Sequence, residues 1–501
     1  MPAMLAAVLA GCASLVGAHA GQVQVTAASE VAPGWQPATT SPYKPSRLNV
    51  PLCRVEGTIE GNIGFELWLP TDWNGRLLGA GVGGDAGVFN YADLSLRANE
   101  GFAAVTTDSG HKAGQARWMA DPKARTDYEH RAVHLTAEAA KALVARFYGR
   151  APNRSYFTGC SGGGRQALKE MQSYPGDYDG VLAGAPGPYM PLQSVRMMWF
   201  SLQQKWQSGA ALSDADWALY EAKATAACDA NDGVRDGIVE NPMACRFRTA
   251  TLLCKPGHAD GCLTAPKLAM LDRITAPMRD ERGRAMDGGL LPGVRTRPGP
   301  PSPLLRAMWA DGVHDDANWD ENSFRRTADL AAANRAMPEL RADRVAIQPF
   351  TARGGKAIIW QGWADPSTNA GPTIDYYAAL ARGNPRLDES VRLFMVPGMY
   401  HCRGGPGADN LGGSGHATAP GDPSRDALWA LIRWVEQGEP PRQLVATKLA
   451  DNRPNFTRLL CPFPQRALYD GKGPTEAATS YRCVDDRLLG GAMQRRSLVG
   501  S

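Results

Sequence analysis

Apolar and polar residues alternate through 53–59 and again through 63–69, the period-two pattern of half-buried strands. Residues 76–79 run into a glycine-rich turn, Gly81-Val82-Gly83-Gly84-Asp85, and 102–107 is a short apolar run suited to a buried strand. From about Tyr128 to Tyr148 the period lengthens. Val133, Leu135, Ala139, Leu143 and Phe147 fall on one side of a long helix. Residues 155–158 predict a further strand and 165–172 a helix; much later 357–360 and 391–396 predict strands and 425–436 a helix. Apolar strands alternating with helices predict a mostly parallel α/β sheet.

Between these two stretches, from about Pro188 to Ala346, the pattern breaks. Methionine and tryptophan cluster at Met197-Met198-Trp199, four cysteines lie close together, and 298–303 is rich in proline. This reads as an insertion within one sheet domain, a lid at 188–346 between sheet segments 12–187 and 347–501, with 1–11 as a residual export segment. The 501 residues are therefore one interrupted domain and not three in a row.

Lys+Arg 54 against Asp+Glu 50 leaves the chain nearly neutral, which argues against nucleic acid as a partner. Ten cysteines point to an oxidising compartment, where they pair, and no C-x-x-C spacing supports zinc. Met1 to Ala20 resembles a secretory apolar segment, and Ala18-His19-Ala20 looks like a cleavage site. Leu9-Ala10-Gly11-Cys12 also fits a lipoprotein box, and a retained, paired Cys12 is the third reading. No later stretch has the roughly 20 apolar residues a membrane span needs. An exported protein, periplasmic or secreted, is expected.

Gly159-Cys160-Ser161-Gly162-Gly163 matches G-x-S-x-G between a predicted strand and a predicted helix, the context of a nucleophile elbow. A triad on this fold runs Ser, then Asp or Glu, then His. His401 follows the strand 391–396 by a Pro-Gly turn, and Asp365 follows the strand 357–360; His416, beside a glycine run, reads as a solvent loop residue. Cys160 precedes the serine and Cys402 follows the histidine. If Ser161 and His401 meet, these cysteines come close enough to bridge.

This arrangement resembles the tannase and feruloyl esterase family, whose hallmark is a Cys-Ser, Asp, His-Cys constellation, and which includes mono(2-hydroxyethyl) terephthalate hydrolases. The resemblance extends over almost the whole chain after Gly11, through Leu69–Arg76, Thr107–His111, Arg131–His134, Phe147–Gly149, Gly159–Arg165, Tyr178–Gly180, Ala183–Pro186 and Gly354–Lys356. It implies an α/β-hydrolase fold with a large inserted lid. It implies Ser161 as nucleophile, His401 as base then acid, and Asp365 as orienting carboxylate, with an acyl-enzyme intermediate. Backbone N–H groups of Gly162 and Gly84 would form the oxyanion hole; Gly83 is the close competitor.

The resemblance also assigns a structural Ca2+ to the lid loop 228–238. Three carboxylates crowd into it, and Val234 stands where an EF-hand requires glycine. The implied ligands are side chains of Asp229, Asp232 and Asp236 and carbonyls of Val234 and Ile238. All-oxygen ligation suits a hard ion. The family's N-terminal Cys-x-x-Leu matches Cys12-Ala13-Ser14-Leu15 and implies a Cys12–Cys53 bridge. Beside Cys160–Cys402 the remaining pairs would be Cys228–Cys245, Cys254–Cys262 and Cys461–Cys483.

The implied substrate is an aromatic ester with a feruloyl or other hydroxycinnamoyl, galloyl or terephthaloyl group. The lid looks shorter than in the terephthalate monoester hydrolases, which favours the first three. Trp309, Trp319 and Phe324 are candidates to stack on the acyl ring, and Arg325 and Arg326 to meet a carboxylate. A non-catalytic phenolic-binding protein and an acyltransferase are the other functional classes compatible with the chain.

Overall fold

Ten strands form one sheet in the order β1-β2-β3-β4-β6-β5-β7-β8-β9-β10: β1 His19–Ala20, β2 Val23–Val31, β3 Leu52–Ile59, β4 Ile63–Pro70, β5 Arg76–Ala80, β6 Ala103–Thr107, β7 Arg154–Cys160, β8 Gly180–Gly184, β9 Lys356–Gly362 and β10 Val391–Val396. The computed structural model describes residues 11–17, 19–20, 22–258, 260–296, 299–413 and 415–494. Residues 1–10, most of the expected export segment, lie outside the described residues. So do Ala18 of the Ala18-His19-Ala20 triplet and Pro298 of the proline-rich loop.

The first four strands are antiparallel, and β4 meets β6 antiparallel. From β6 onward every pairing is parallel. The sheet is therefore mixed: five of its nine pairings are parallel, and β1 to β4 add an antiparallel wing to the parallel half the sequence predicts. The crossover β5-β6-β7 places β6 between β4 of the antiparallel wing and β5 of the parallel half, and the carboxyl ends of the parallel strands point to one rim. Ligands bind at such a rim in open α/β sheets. This order of strands with helices on both faces is an α/β-hydrolase fold.

The helix Ala132–Tyr148 starts later than its periodicity suggests. Asp127–Arg131 forms a π-turn before it, and Gly149, left-handed at φ 73°, ends it. The helix after β7 begins earlier than predicted, spanning Gly162–Ser173. Its glycine-rich start is a poor helix former by itself, yet close packing demands it: a Cβ on Gly164 would lie 2.1 Å from the Gly184 carbonyl oxygen. Ala427–Gln437 is capped by Asp426, which accepts from the Leu428 and Trp429 N–H groups. It packs with Trp68, Trp360 and Phe394 in a core on one face of the sheet.

Between β8 and β9 the chain leaves the sheet. The helices Met190–Trp206, Asp214–Cys228, Ala265–Thr275 and Arg326–Ala336 enclose two cores of their own, one around Val195, Met198 and Trp309 and one around Trp217, Tyr220 and Met270. An ion pair between buried Arg196 and Asp287 crosses this layer. Two small antiparallel pairs follow, Leu444–Ala450 with Arg453–Leu460 and Gln465–Tyr469 with Tyr481–Asp485, and the helix Arg487–Gln494 comes after them. No described helix is long and apolar enough to cross a membrane.

Candidate active site

Ser161 stands at the junction of β7 and the following helix with φ 61° and ψ −123°, a region costly for a residue with a side chain. Its N–H donates to the Gly184 carbonyl at 2.9 Å, and its carbonyl accepts from the Arg165 N–H at 2.9 Å. These bonds lock the turn. The glycines of the pentapeptide have a steric reason, since a Cβ on Gly159 would lie 2.6 Å from the Gly163 carbonyl carbon. The serine is thereby held out on the rim, where it lines a cavity of about 990 Å3 together with His401.

Asp365 and His401 come from the turns after β9 and β10, neighbouring parallel strands. His401 Nδ1 lies 2.9 Å from Asp365 Oδ2. Asp365 is wholly buried, and its charge is met by a full set of donors. Oδ1 accepts from the Ser367 and Thr368 N–H groups at 2.8 and 2.9 Å. Oδ2 accepts from Thr368 Oγ1 at 2.8 Å and from Gln361 Nε2 at 3.1 Å. Gln361 is itself fixed by Thr373, whose hydroxyl donates to Oε1 at 2.9 Å. A carboxylate held this way keeps the Nδ1 proton of a neutral imidazole and leaves its Nε2 lone pair free to take a proton. Gln361 and Thr368 were not singled out in the sequence; a glutamine inside the apolar strand β9 was the available signal.

The glycine-rich turn after β5 lies against the serine. Gly83 donates its N–H to the Tyr43 hydroxyl at 2.6 Å, while Gly84, at φ 63°, has no such partner for its N–H among the described residues. Gly162 is the first residue of its helix, where an N–H has no intrahelical acceptor. Gln166 ties the two pieces together: its Oε1 accepts from the Val82 N–H at 3.0 Å. The Gly84 carbonyl takes the Tyr128 hydroxyl at 2.8 Å. This geometry leaves Gly84 and Gly162, of the candidates, with uncommitted donors beside the serine.

All ten cysteines are paired: Cys12–Cys53, Cys160–Cys402, Cys228–Cys245, Cys254–Cys262 and Cys461–Cys483. The second bond has its Cα atoms 6.0 Å apart and couples the residue before Ser161 to the residue after His401.

The lid supplies the cavity's roof, but not through the residues expected. Trp309, Trp319 and Phe324 are buried in the lid's own core; the Trp309 and Phe324 rings meet edge to face. Arg325 donates to the Asn322 and Phe324 carbonyls, and Arg326 pairs with Glu281 over the Trp199 ring. None of the five lines the cavity. Large aromatics give most when wholly buried, so they hold the lid together. The apolar lining comes from Met190, Met197, Phe200, Leu305, Met308 and Met337. His416, expected in solvent, lines the same cavity.

In the lid loop the Asp229 Oδ1 accepts from the Asp236 and Gly237 N–H groups at 3.2 and 3.1 Å. Asp232 Oδ1 accepts from the Val234 N–H at 2.9 Å, and Asp236 Oδ1 from the Ile238 N–H at 3.0 Å. Asp236 also holds the Arg458 guanidinium. Among the described residues no three His, Cys, Asp or Glu side chains converge on one point. Even so, Asp232 Oδ2 is buried without a partner, and burial raises its carboxyl above the ordinary range. An unsatisfied buried carboxylate oxygen, in a loop that carries two more carboxylates, fits the chemistry of an all-oxygen, hard-cation donor set.

The sheet order, the serine at a strained strand-to-helix turn and the His–Asp pair on adjoining strands define an α/β-hydrolase. A family model described as tannase and feruloyl esterase matches residues 48–299 and 301–484, and the chain belongs to that family. It is 34% identical to an uncharacterised esterase of Xanthomonas campestris pv. campestris over 95% of this chain and 91% of that one. It is 31% identical to a probable feruloyl esterase B of Aspergillus clavatus, covering 87% of each. The crystal structure of feruloyl esterase B from Aspergillus oryzae superposes with a TM-score of 0.88 at 27% identity, covering 95% of this chain and all of that one. The protein is a carboxylic ester hydrolase.

Proposed function

We propose that the protein is a serine esterase for esters of aromatic acids, feruloyl and related hydroxycinnamoyl or galloyl groups, working through an acyl-enzyme on Ser161. The His401–Asp365 hydrogen bond of 2.9 Å, beside a serine opening on the same cavity, carries this reading. His401 Nε2 takes the Ser161 proton as Oγ attacks the ester carbonyl. The Gly84 and Gly162 N–H groups receive the developing oxyanion. The imidazolium, stabilised by Asp365, then protonates the departing alcohol. Water enters, His401 removes its proton, and the acid leaves as Ser161 recovers its own. The mostly apolar, methionine-rich lining suits a flat aromatic acyl group, because thioethers adapt their shape and contact ring edges favourably.

In the lid, side chains of Asp229, Asp232 and Asp236 with carbonyls of Val234 and Ile238 would hold a structural Ca2+, which supplies charge neutralisation to the loop and takes no part in the chemistry. Five disulfides suit an exported, periplasmic or secreted protein.

The deciding experiment assays the parent and Ser161→Ala on methyl ferulate, methyl gallate and a terephthalate monoester. Hydrolysis of one of the first two that vanishes in the variant is the expected result. Turnover unchanged in Ser161→Ala overturns the mechanism, and turnover of the terephthalate monoester alone overturns the substrate class.

A further inference from the structure

Three segments that line the cavity come together through Arg403, which contacts His416 and acts on Tyr43: the loop bearing Tyr43 and Lys44, the Cys402–Arg403 step beside the histidine, and Gly415–His416. Each contributes a basic side chain to the lining. Arg403 is exposed, and its NH1 donates to His416 Nε2 at 3.2 Å. Lys44 is also exposed, with one long contact of 3.5 Å from Nζ to the Thr39 carbonyl. Neither makes an ion pair among the described residues.

The acids facing this place are occupied elsewhere. Asp93 is buried, accepting from the Gly415 N–H at 2.6 Å and from Asn90 Nδ2 at 2.8 Å. Asp409 accepts from the Gly404 N–H at 2.6 Å and from Lys448 at 3.3 Å. Burial and the Arg403 charge hold the His416 imidazole below its ordinary range, so at neutral pH the ring accepts from Arg403 and steadies the guanidinium. The cavity, about 990 Å3, is at the upper end of the range for small-molecule sites. Uncompensated cations at the mouth of a large apolar site, steadied by a neutral ring, are the complement of an anionic group on a substrate.

We propose that Lys44, Arg403 and His416 form a subsite for a carboxylate carried by the ester, on either its acyl or its alcohol part. The esters favoured by this enzyme are then anionic ones. The proposal rests on the esterase reading above and deepens it. Arg403 acts here by contact with substrate, and His416 as a positioning residue that orients it.

Two matched pairs test it, each an anion against a neutral analogue. Monomethyl terephthalate against dimethyl terephthalate places the charge on the acyl side; the ferulate ester of glycolic acid against that of glycolamide places it on the alcohol side. In the parent, kcat/KM is expected to favour the anion in one pair, and the preference to shrink as salt is raised. The pair that shows it identifies the side. Arg403→Gln should lower that anion-to-neutral ratio roughly five- to tenfold, Lys44→Gln should lower it less, and Arg403→Lys should restore part of it. Loss of both members equally in Arg403→Gln, or no preference in the parent for either anion, overturns the subsite. If instead hydrolysis survives Ser161→Ala, it is the esterase mechanism that has failed.

Discussion

Cys160 and Cys402 stand 242 residues apart in the chain and are bonded, with Cα atoms 6.0 Å apart; Ser161 follows the first and His401 precedes the second. One covalent bond therefore spans the gap between the turn of Ser161 and the loop of His401. The other route between them runs through the sheet, from β7 across β8 and β9 to β10.

Removing that bond in a Cys160→Ala/Cys402→Ala variant is expected to cost more activity than fold. In the chain-entropy picture a loop this long contributes at most about 5 kcal/mol. The variant should still fold by circular dichroism with a lowered Tm, and its kcat should fall at a temperature well below that Tm. Unchanged kcat in the folded variant would show that the sheet alone sets the serine–histidine spacing.

Asp365→Asn keeps the shape of the side chain but removes the charge that holds the Nδ1 proton. A fall in kcat of about 10^4 with little change in KM is expected, by analogy with the loss of the triad carboxylate elsewhere. Gln361→Leu removes one of the donors to the Asp365 carboxylate and should lower kcat by a smaller factor, measurable on methyl ferulate. A Gln361 variant as fast as the parent would show that Thr368 and the two backbone donors suffice.

The lid aromatics and the lid methionines should separate cleanly in their effects. Trp309→Ala empties the lid core and is expected to cost about 3–5 kcal/mol of stability, seen as a lower Tm. Met197→Ala or Met308→Ala trims the cavity lining and should change KM for aromatic esters with a smaller change in Tm. The reverse pattern would return Trp309 to the substrate site.

Chelation tests the lid loop. Treatment with EGTA should lower the Tm, and added Ca2+ should restore it, rising with the logarithm of its concentration, as for any ion that binds only the folded state. Asp232→Asn should weaken that rescue while leaving the Cys228–Cys245 bond intact. A Tm indifferent to EGTA would mean that Arg458, already on Asp236, neutralises the loop unaided.

Burial pushes the Glu129 carboxyl up to about 7, though it accepts the Glu339 N–H at 2.7 Å. The folded protein thus holds this proton to a higher pH than the unfolded chain does. Its contribution to stability is fully present below about 4.5 and is lost as pH rises to about 7. Glu129→Gln should flatten this part of the Tm–pH profile and raise Tm at pH 8 relative to the parent. An identical profile in the variant would place the titration elsewhere.

The candidate site in this chain was legible because its pattern is written locally. A serine between glycines, a histidine after a strand and a cysteine beside each are short patterns, and a nucleophile elbow constrains its own neighbours sterically, as the Gly159 and Gly164 contacts make plain. Strand alternation placed β3 and β4 to within a residue; in β3 it also reports which face is buried, whereas β4 is buried along its whole length.

What the sequence left undecided depends on which surfaces meet. Nothing local in Trp309 or Phe324 tells a lid core from a substrate wall, since both environments want large apolar side chains and only packing chooses between them. Gly83 and Gly84 are likewise alike on paper; the hydroxyl of Tyr43, forty residues upstream, occupies one N–H and leaves the other. His416 passed for a loop residue because its partner, Arg403, comes to it only when the loop after β10 folds back over the rim. By itself the sequence determined the family, the fold class and the candidate catalytic trio, through covalent neighbours and period. The tertiary structure alone decided the lining of the cavity and the charge at its mouth, because those are set by contacts between segments that the chain keeps far apart.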